Sequence, residues 1–382
     1  MERIYLDHNA TTPVDPRVFD VMATALRSGG NPSSLHAFGQ GARATVENAR
    51  QDVAALIGAT PAEVVFTGSG TEADNMAILG LAAMAQPSRR KVVISAIEHH
   101  AVAAAAEVLG ESGFEVQTVR AGQDGVVDLA DLRALVDERT ALVAVMLANN
   151  ETGVIQPVAE VVEIARQKGA LVHCDGVQAT GKIPVDVNAL GIDTLALSAH
   201  KFYGPQGVGA LYVKHGTRMK ALLRGGPQER NRRAGTENVA GIAGLGAAAR
   251  LAAAEIPTEG QRLERLRDAL EVLLLALPGA ERNGSGPRIP NTTNISFDGA
   301  EAESLLMALD LAGIAVSTGA ACAAGAVSSS HVLRGMHLPA RRVQGSLRFS
   351  LGHATRDADI PRTAEVLAEI LERHRTVAHS RR

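Results

Sequence analysis

Residues 194–213 read TLALSAHKFYGPQGVGALYV. Two apolar runs of strand length flank a turn built on Gly204, Pro205 and Gly207. So short a connection leaves no room for a crossover helix, and the second run is expected to enter antiparallel to the first. Between them stand Ser198, Ala199, His200 and Lys201. An amine placed where a buried strand gives way to a turn is held at a cleft edge, with hydroxyl and imidazole neighbours. Burial there lowers its pKa, and a neutral amine attacks an aldehyde, so Lys201 is a candidate Schiff-base lysine. A surface lysine after a strand is the competing reading, and the rest of the chain has to decide between them.

Upstream the same rhythm repeats. Apolar runs occur at VVFTG (64–68), KVVISAI (91–97), EVQTV (115–119), ALVAVMLAN (141–149) and ALVHCD (170–175), most of them separated by helix-length segments such as EADNMAILGLAAMA and AEVVEIARQKG. Near-continuous apolar strands alternating with helices predict an α/β domain whose mainly parallel sheet is covered on both faces. We expect seven strands in a mixed sheet within residues 15–255, with helices near 16–28 and 39–57. A long amphipathic helix is expected over GQRLERLRDALEVLLLAL, then a turn through NGSGPRIPNTT. Strands near TNISF, IAVSTG and SLRFSLG and helices near 301–311 and 357–374 read as a smaller α+β domain, which residues 1–14 join to 256–382.

Composition limits the function classes. The 382 residues are 46% hydrophobic and 21% charged with a net charge of −3, which favours neither nucleic acid nor an anionic membrane as partner. No secretory signal is evident and the alanine-rich stretches are broken by charge and glycine, so a cytoplasmic location is expected. Cys174 and Cys322 are too few for a disulfide framework or a zinc knuckle, and no metal is expected.

In sheets of this kind ligands sit beyond the carboxyl ends of the strands. After the first run, Gly68, Ser69, Gly70 and Thr71 lead into a helix, an anion cup of backbone N–H groups and helix dipole. It lacks the Gly-Lys-Ser/Thr of a P-loop and the third glycine of a dinucleotide fingerprint, which leaves a phosphate monoester as the natural occupant. The second run ends at Glu98-His99-His100, where an imidazole can stack on an aromatic cofactor and move protons. The fourth ends at Asn149-Asn150-Glu151, and the fifth at Cys174-Asp175-Gly176-Val177-Gln178. A carboxylate at a buried strand end needs a cationic partner, and a protonated pyridine nitrogen is one. Phosphate cup, imidazole, aspartate and lysine together are the set that pyridoxal phosphate requires.

The segments YLDHNATTPVDPRV, NPSSLHAFGQ, FTGSGTEADN, EHHAV, NNETGVIQP, HCDGVQATGKIPVD, SAHKFYGPQGVGALYV, RRAGTEN, STGAACAAG and SLRFSLG resemble, in collinear order, the cysteine desulfurases of the class V aminotransferase group. The resemblance implies the large pyridoxal-phosphate fold of aspartate aminotransferase type (fold type I) and a homodimer with active sites near the subunit interface. By it, Lys201 carries the cofactor, Asp175 pairs with the pyridine nitrogen, Gln178 donates to the phenolic oxygen and His99 stacks on the ring as an acid/base. Gly70, Thr71, Ser198 and His200 fall at phosphate-binding positions, and Thr236 at the position offered by the neighbouring subunit. Asn150 and Arg348 match the clamp for the substrate carboxylate, a task that suits the arginine fork.

The resemblance also implies the reaction. L-cysteine becomes L-alanine while its sulfur passes to Cys322 as a persulfide, then to an acceptor protein serving iron-sulfur cluster or other thio-cofactor and tRNA supply. Cys322 lies in a run of alanine, glycine and serine whose composition predicts a mobile loop, whereas Cys174 sits inside an apolar strand and reads as a packed hydrophobe. His331 and Arg334 are its basic neighbours by spacing. Around Cys322, Thr318, Ala320 and Ala323-Ala324-Gly325 replace hydroxyl-bearing residues common in the family, and the tail LERHRTVAHSRR is short, pointing to a dedicated or different acceptor. The same scaffold also serves selenocysteine lyases, aminotransferases and epimerases, which is the alternative reading.

Overall fold

The computed structural model describes residues 3–318 and 329–380. A two-residue strand β1 (Ile4–Tyr5) opens the chain, followed by helices α1 (Pro16–Ser28) and α2 (Ala37–Leu56). The start of α1 is set by Asp15, whose side chain accepts the Arg17 N–H, and by Pro16 at the first helical position. Then come β2 (Val64–Thr67), α3 (Gly70–Ala82), β3 (Lys91–Ser95), α4 (His100–Glu111), β4 (Glu115–Val119), α5 (Leu129–Leu135), β5 (Thr140–Ala144), α6 (Val158–Gln167), β6 (Leu171–Asp175), α7 (Val187–Leu190), β7 (Thr194–Ser198) and β8 (Gly209–Val213). The rest comprises α8 (Val239–Leu275), β9 (Ala280–Arg282), β10 (Thr292–Phe297), α9 (Ala302–Leu311), β11 (Ile314–Ala315), α10 (His331–Gly335), α11 (Ala340–Gln344), β12 (Ser346–Ser350) and α12 (Asp359–Ser380).

Seven strands form one sheet in the order β2-β8-β7-β6-β5-β3-β4. β8 runs antiparallel to both β2 and β7, and the remaining pairs are parallel. The mixed sheet and the antiparallel entry of β8 are as expected. The connections leave β3 in one direction toward β4 and β5 in the other toward β6 and β7. That places a switch point, and with it a crevice, at the carboxyl ends of β3 and β5. The expected run 141–149 is a strand only to Ala144. Beyond it Val145 and Leu147 still donate to the carbonyls of His173 and Asp175, until Ala148 turns to bridge Ile155.

The first core lies around this sheet and its covering helices, with Val93, Val143, Val172, Leu195 and Leu197 fully buried. A second core gathers Leu266, Leu270, Leu305, Phe297, Leu347 and Phe349 around the antiparallel sheet β12-β10-β9. Helix α8 serves both. Its first part buries Ala240–Ala249 against α1 and α2, its last part buries Leu263, Leu266, Leu270 and Leu274, and Pro257 falls between. Sequence reading placed only the second part in a helix, because Pro257 resembles a breaker and the glycine-rich start lacks apolar periodicity. Those glycines permit close packing: a Cβ on Gly246 would lie 2.5 Å from Ala49 Cα. β1 pairs in parallel with β11, and Asp7 bridges Ser350, so the N-terminal segment passes between the two cores.

Candidate active site

Lys201 ends a single 3-10 turn, Ala199–Lys201, immediately after β7. The turn is clamped by the N-terminal segment. Thr12 donates through both its N–H and its hydroxyl to the His200 carbonyl, and Tyr203 N–H returns a bond to the Thr12 hydroxyl at 2.7 Å. The Lys201 amine donates to the carbonyls of Asn9 and Ala10 at 2.6 and 2.8 Å. Burial, reinforced by the Arg348 charge and opposed by Asp175 and Asp7, brings its pKa down to about 8. The neutral amine is therefore accessible near physiological pH.

Asp175 is the last residue of β6, inside the sheet between β5 and β7, and is 5% exposed. Its carboxylate accepts the Val177 N–H at 2.9 Å. Burial raises its pKa against the pull of His99 and Lys201. His99 caps α4, and its Nδ1 accepts the Ala101 N–H at 3.1 Å. That bond fixes the neutral tautomer, leaving Nε2 to carry the proton. Burial holds His99 below its usual pKa, so it starts as a neutral imidazole with an Nε2–H to donate.

Asp74 adds a second carboxyl group to this floor, and Glu98, which does not line the cleft, is buried close to both. Ligand-type atoms of Asp74, His99 and Asp175 lie within 4.8 Å of one another. Asp74 is paired with His173 Nε2 at 3.1 Å, and His173 in turn with Thr194. Glu98 accepts from Ser95 and from Met146 N–H, its other oxygen is buried without a partner, and burial pushes its pKa up to about 8. Two acidic side chains, Asp74 and Asp175, come together with the His99 imidazole at the sheet ends. Such a floor favours a flat cationic ring over a neutral one.

A helix follows β2 directly, as expected. Helix α3 begins at Gly70 with Ser69 as cap, and Thr71, Ser198 and His200 face the same cleft. Gly70 is required by close approach: a Cβ there would lie 2.7 Å from Val177 Cγ2. His200 is kept neutral by burial, with a pKa of about 4. Backbone donors at a helix start, two hydroxyls and an imidazole suit a phosphate, and the acidic floor suits a pyridinium. The residues therefore fit pyridoxal phosphate.

Across the cleft, Arg348 reaches in from the middle of β12 and is 4% exposed. It donates to the Asn150 carbonyl at 2.9 Å and pairs with Asp7 at 2.6 Å, while its Nε and the Asn150 Oδ1 are buried without partners. Two adjacent orphan groups at a cleft wall await a ligand with both donor and acceptor character. An amino acid carboxylate and amine supply these.

Gly70, Thr71, His99, Asn150, Asp175, Gln178, Ser198, His200, Lys201 and Arg348 all line one cleft of about 750 Å³. Thr236 is exposed and does not line it, and Cys322 lies outside the described residues. Sequence reading missed Asp7, Asn9, Asp74, Glu98 and Lys182. Asn9 is the hub: 1% exposed, it accepts through its backbone carbonyl from Lys201 and Gln178, and its side chain bonds Lys182, Asn291, Thr292 and Asn150. Its signal was the polar turn after YLD, but nothing in a linear sequence says which strands such a turn will cross.

The Aminotransferase class-V family model matches residues 4–362. A cysteine desulfurase of Nostoc sp. is 47% identical over 99% of this chain and 95% of that protein. A solved NifS-like protein superposes with a TM-score of 0.91 at 38% identity, covering 97% of this chain and 99% of the other. A structure described as SspA in complex with cysteine gives 0.81 at 30% identity over 91% and 98% of the two chains. With the match spanning nearly its whole length, the chain belongs to the class-V aminotransferase family.

Proposed function

We propose that the protein is a pyridoxal-phosphate-dependent cysteine desulfurase that converts L-cysteine to L-alanine. The observation that carries this reading is the convergence of the Lys201 amine, the Asp175 carboxylate and the His99 imidazole on one cleft whose opposite wall is Arg348. Curated relatives of nearly full length are cysteine desulfurases, and one similar solved structure is described with cysteine bound.

When bound, pyridoxal phosphate supplies an electron sink for negative charge at the substrate α-carbon. The chain does the rest. Lys201 offers the amine that carries the cofactor, with the carbonyls of Asn9 and Ala10 to receive it when displaced. Asp175 keeps a positive charge on the ring nitrogen, and Ser69-Gly70-Thr71 with Ser198 and His200 hold the phosphate. Asn150 and Arg348 orient the substrate carboxylate. The Lys201 amine takes the α-proton, and the His99 Nε2–H is the group placed to donate one, because His99 Nδ1 already accepts the Ala101 N–H. The Cys322 thiolate attacks the substrate sulfur as the carbon-sulfur bond breaks. The bonding pair stays with the carbon skeleton, which is protonated and leaves as L-alanine, and the sulfur remains on Cys322 as a persulfide until an acceptor protein takes it. Thr236, exposed on this chain, reaches the phosphate of a second copy in a homodimer. The compartment is the cytoplasm.

The test is product analysis with the reconstituted protein. Equal amounts of L-alanine and reducible sulfur from L-cysteine are expected. Amination of a keto acid with no sulfur released would instead assign an aminotransferase, and turnover confined to selenocysteine a selenocysteine lyase. Sedimentation of the loaded protein as a monomer would remove Thr236 from the site.

A further inference from the structure

Lys182 stands four residues beyond Gln178, in the turn that follows β6. It lies at the border between the cleft residues and a small internal cavity lined by His8, Tyr203 and His353. Its amine reaches back to two acceptors, donating to Gln178 Oε1 at 2.6 Å and to Asn9 Oδ1 at 2.8 Å. At the other end of the same carboxamide, Gln178 Nε2 donates to the Asn9 backbone carbonyl at 2.9 Å. A backbone carbonyl can only accept, so this end must be the NH2, and the oxygen must face Lys182. The second N–H of Gln178 is left for the cleft, which Gln178 lines beside Asp175 and Lys201.

We propose that Lys182 is a positioning residue that holds the Gln178 carboxamide with its NH2 toward the phenolic oxygen of the bound pyridoxal ring. The proposal rests on the reading of Gln178 as that donor. A glutamine amide has nearly equal ends, and a reversed one would present an oxygen to a phenolate, turning an attraction into a repulsion. Asn9 fixes one end of the amide and Lys182 the other. Asn9 itself cannot rotate freely, because its side-chain NH2 is bonded to Thr292 and to the Asn150 carbonyl and its oxygen also accepts from Asn291. The lock therefore ties the donor at the cofactor's oxygen to the wall that carries Arg348. Burial, with the Lys201 and Arg348 charges nearby, lowers the pKa of Lys182, yet donation to two oxygens requires only the two N–H bonds of a neutral amine.

The experiment is a pH titration of the visible absorption band of the reconstituted protein, in wild type, Lys182→Met, Gln178→Ala and the double variant. Loss of the donor leaves the proton shared by the cofactor's oxygen and the Lys201 nitrogen more firmly held. Each single variant is expected to move the titration midpoint up by about one pH unit. The double variant is expected to match Gln178→Ala within about 0.3 unit, because Lys182 acts through Gln178. A shift in Gln178→Ala with none in Lys182→Met overturns the inference and leaves Gln178 in its role, as does full additivity in the double variant. No shift in Gln178→Ala overturns both. If Lys182→Met does not fold, Lys182→Gln, which keeps an N–H donor without charge, is expected to hold the wild-type midpoint; a shift there would mean that charge and not orientation is what Lys182 supplies.

Discussion

The floor of the cleft and its far wall are held by different means. The floor is made by the ends of β6 and β7 and the starts of α3 and α4, so each of its groups is a fixed number of residues from a strand in one sheet. The wall comes from another sheet: Arg348 projects from β12, and β1 and the segment after it cross between the two to supply Asp7 and Asn9. The floor is thus preorganised by backbone within one core, while the wall is placed by a few side-chain bonds between two cores. Floor substitutions should damage chemistry and cofactor retention at unchanged fold. Wall substitutions should show in substrate affinity or stability.

The sharpest break of that contrast is Lys201→Ala. Turnover is expected to fall by at least about 10³-fold with the melting temperature of the unloaded protein unchanged or raised, since a buried amine among cations is removed. A related pH effect follows from the lysine. With a pKa of about 8 the amine is mostly charged at pH 7, so capture of pyridoxal phosphate by unloaded protein should quicken up to about pH 8 and level off above it. Stopped-flow absorbance checks it, and a rate flat between pH 6 and 9 would contradict it.

The second core offers the opposite outcome. Glu271 on α8 is bonded by Arg288, Thr293 and Arg282 and is 7% exposed. Burial opposes its ionisation, but those three donors outweigh it and hold its pKa at about 2. A folded-state pKa below the usual 4.5 means stability that is fully present above about pH 4.5 and lost as the pH falls toward 2. Glu271→Gln should cost about 3 kcal/mol in urea unfolding at pH 7 and leave turnover per folded molecule within a factor of two. A large loss of turnover at full stability would place it in the site instead.

Between these lies Arg348→Lys, which keeps charge but loses the fork. KM for L-cysteine is expected to rise about 30-fold with kcat much less affected, roughly 2 kcal/mol of carboxylate binding. Equal losses in kcat and kcat/KM would make Arg348 a group of the floor. The smallest effect is expected from Gly70→Ala, whose new methyl meets Val177 Cγ2 at 2.7 Å and Ser198 Cβ at 3.4 Å. The floor must give by a little, weakening cofactor retention by about tenfold, or roughly 1.4 kcal/mol, measured by equilibrium dialysis.

The same contrast explains what the sequence could disclose. The floor was legible because a residue that follows an apolar run needs no tertiary information to be placed at a strand end: Asp175 after ALVHC, His99 after KVVISAI and Lys201 after TLALS all read this way. The antiparallel β8 was legible from its short Gly/Pro connection. Arg348 sits in the middle of its strand, with no local signal separating it from any arginine in a sheet, and came only from resemblance. Asn9 and Lys182 act through contacts 169 to 192 residues away or within an unpatterned turn, which no period or spacing encodes. The long reach of α8 was hidden for a different reason. Its glycines and Pro257 lower helix propensity locally, and burial of Ala240–Ala249 against α2 overrides it.

The measurement that tests the central claim most directly is peptide mass spectrometry of the reconstituted protein after brief exposure to L-cysteine without reductant. The account predicts one added sulfur atom on the peptide containing Cys322, none on that of the buried Cys174, and L-alanine in equal amount. Alanine and sulfide released with Cys322 unmodified would contradict it, leaving the cofactor floor as described but assigning the carbon-sulfur cleavage to an enzyme in which Cys322 takes no part.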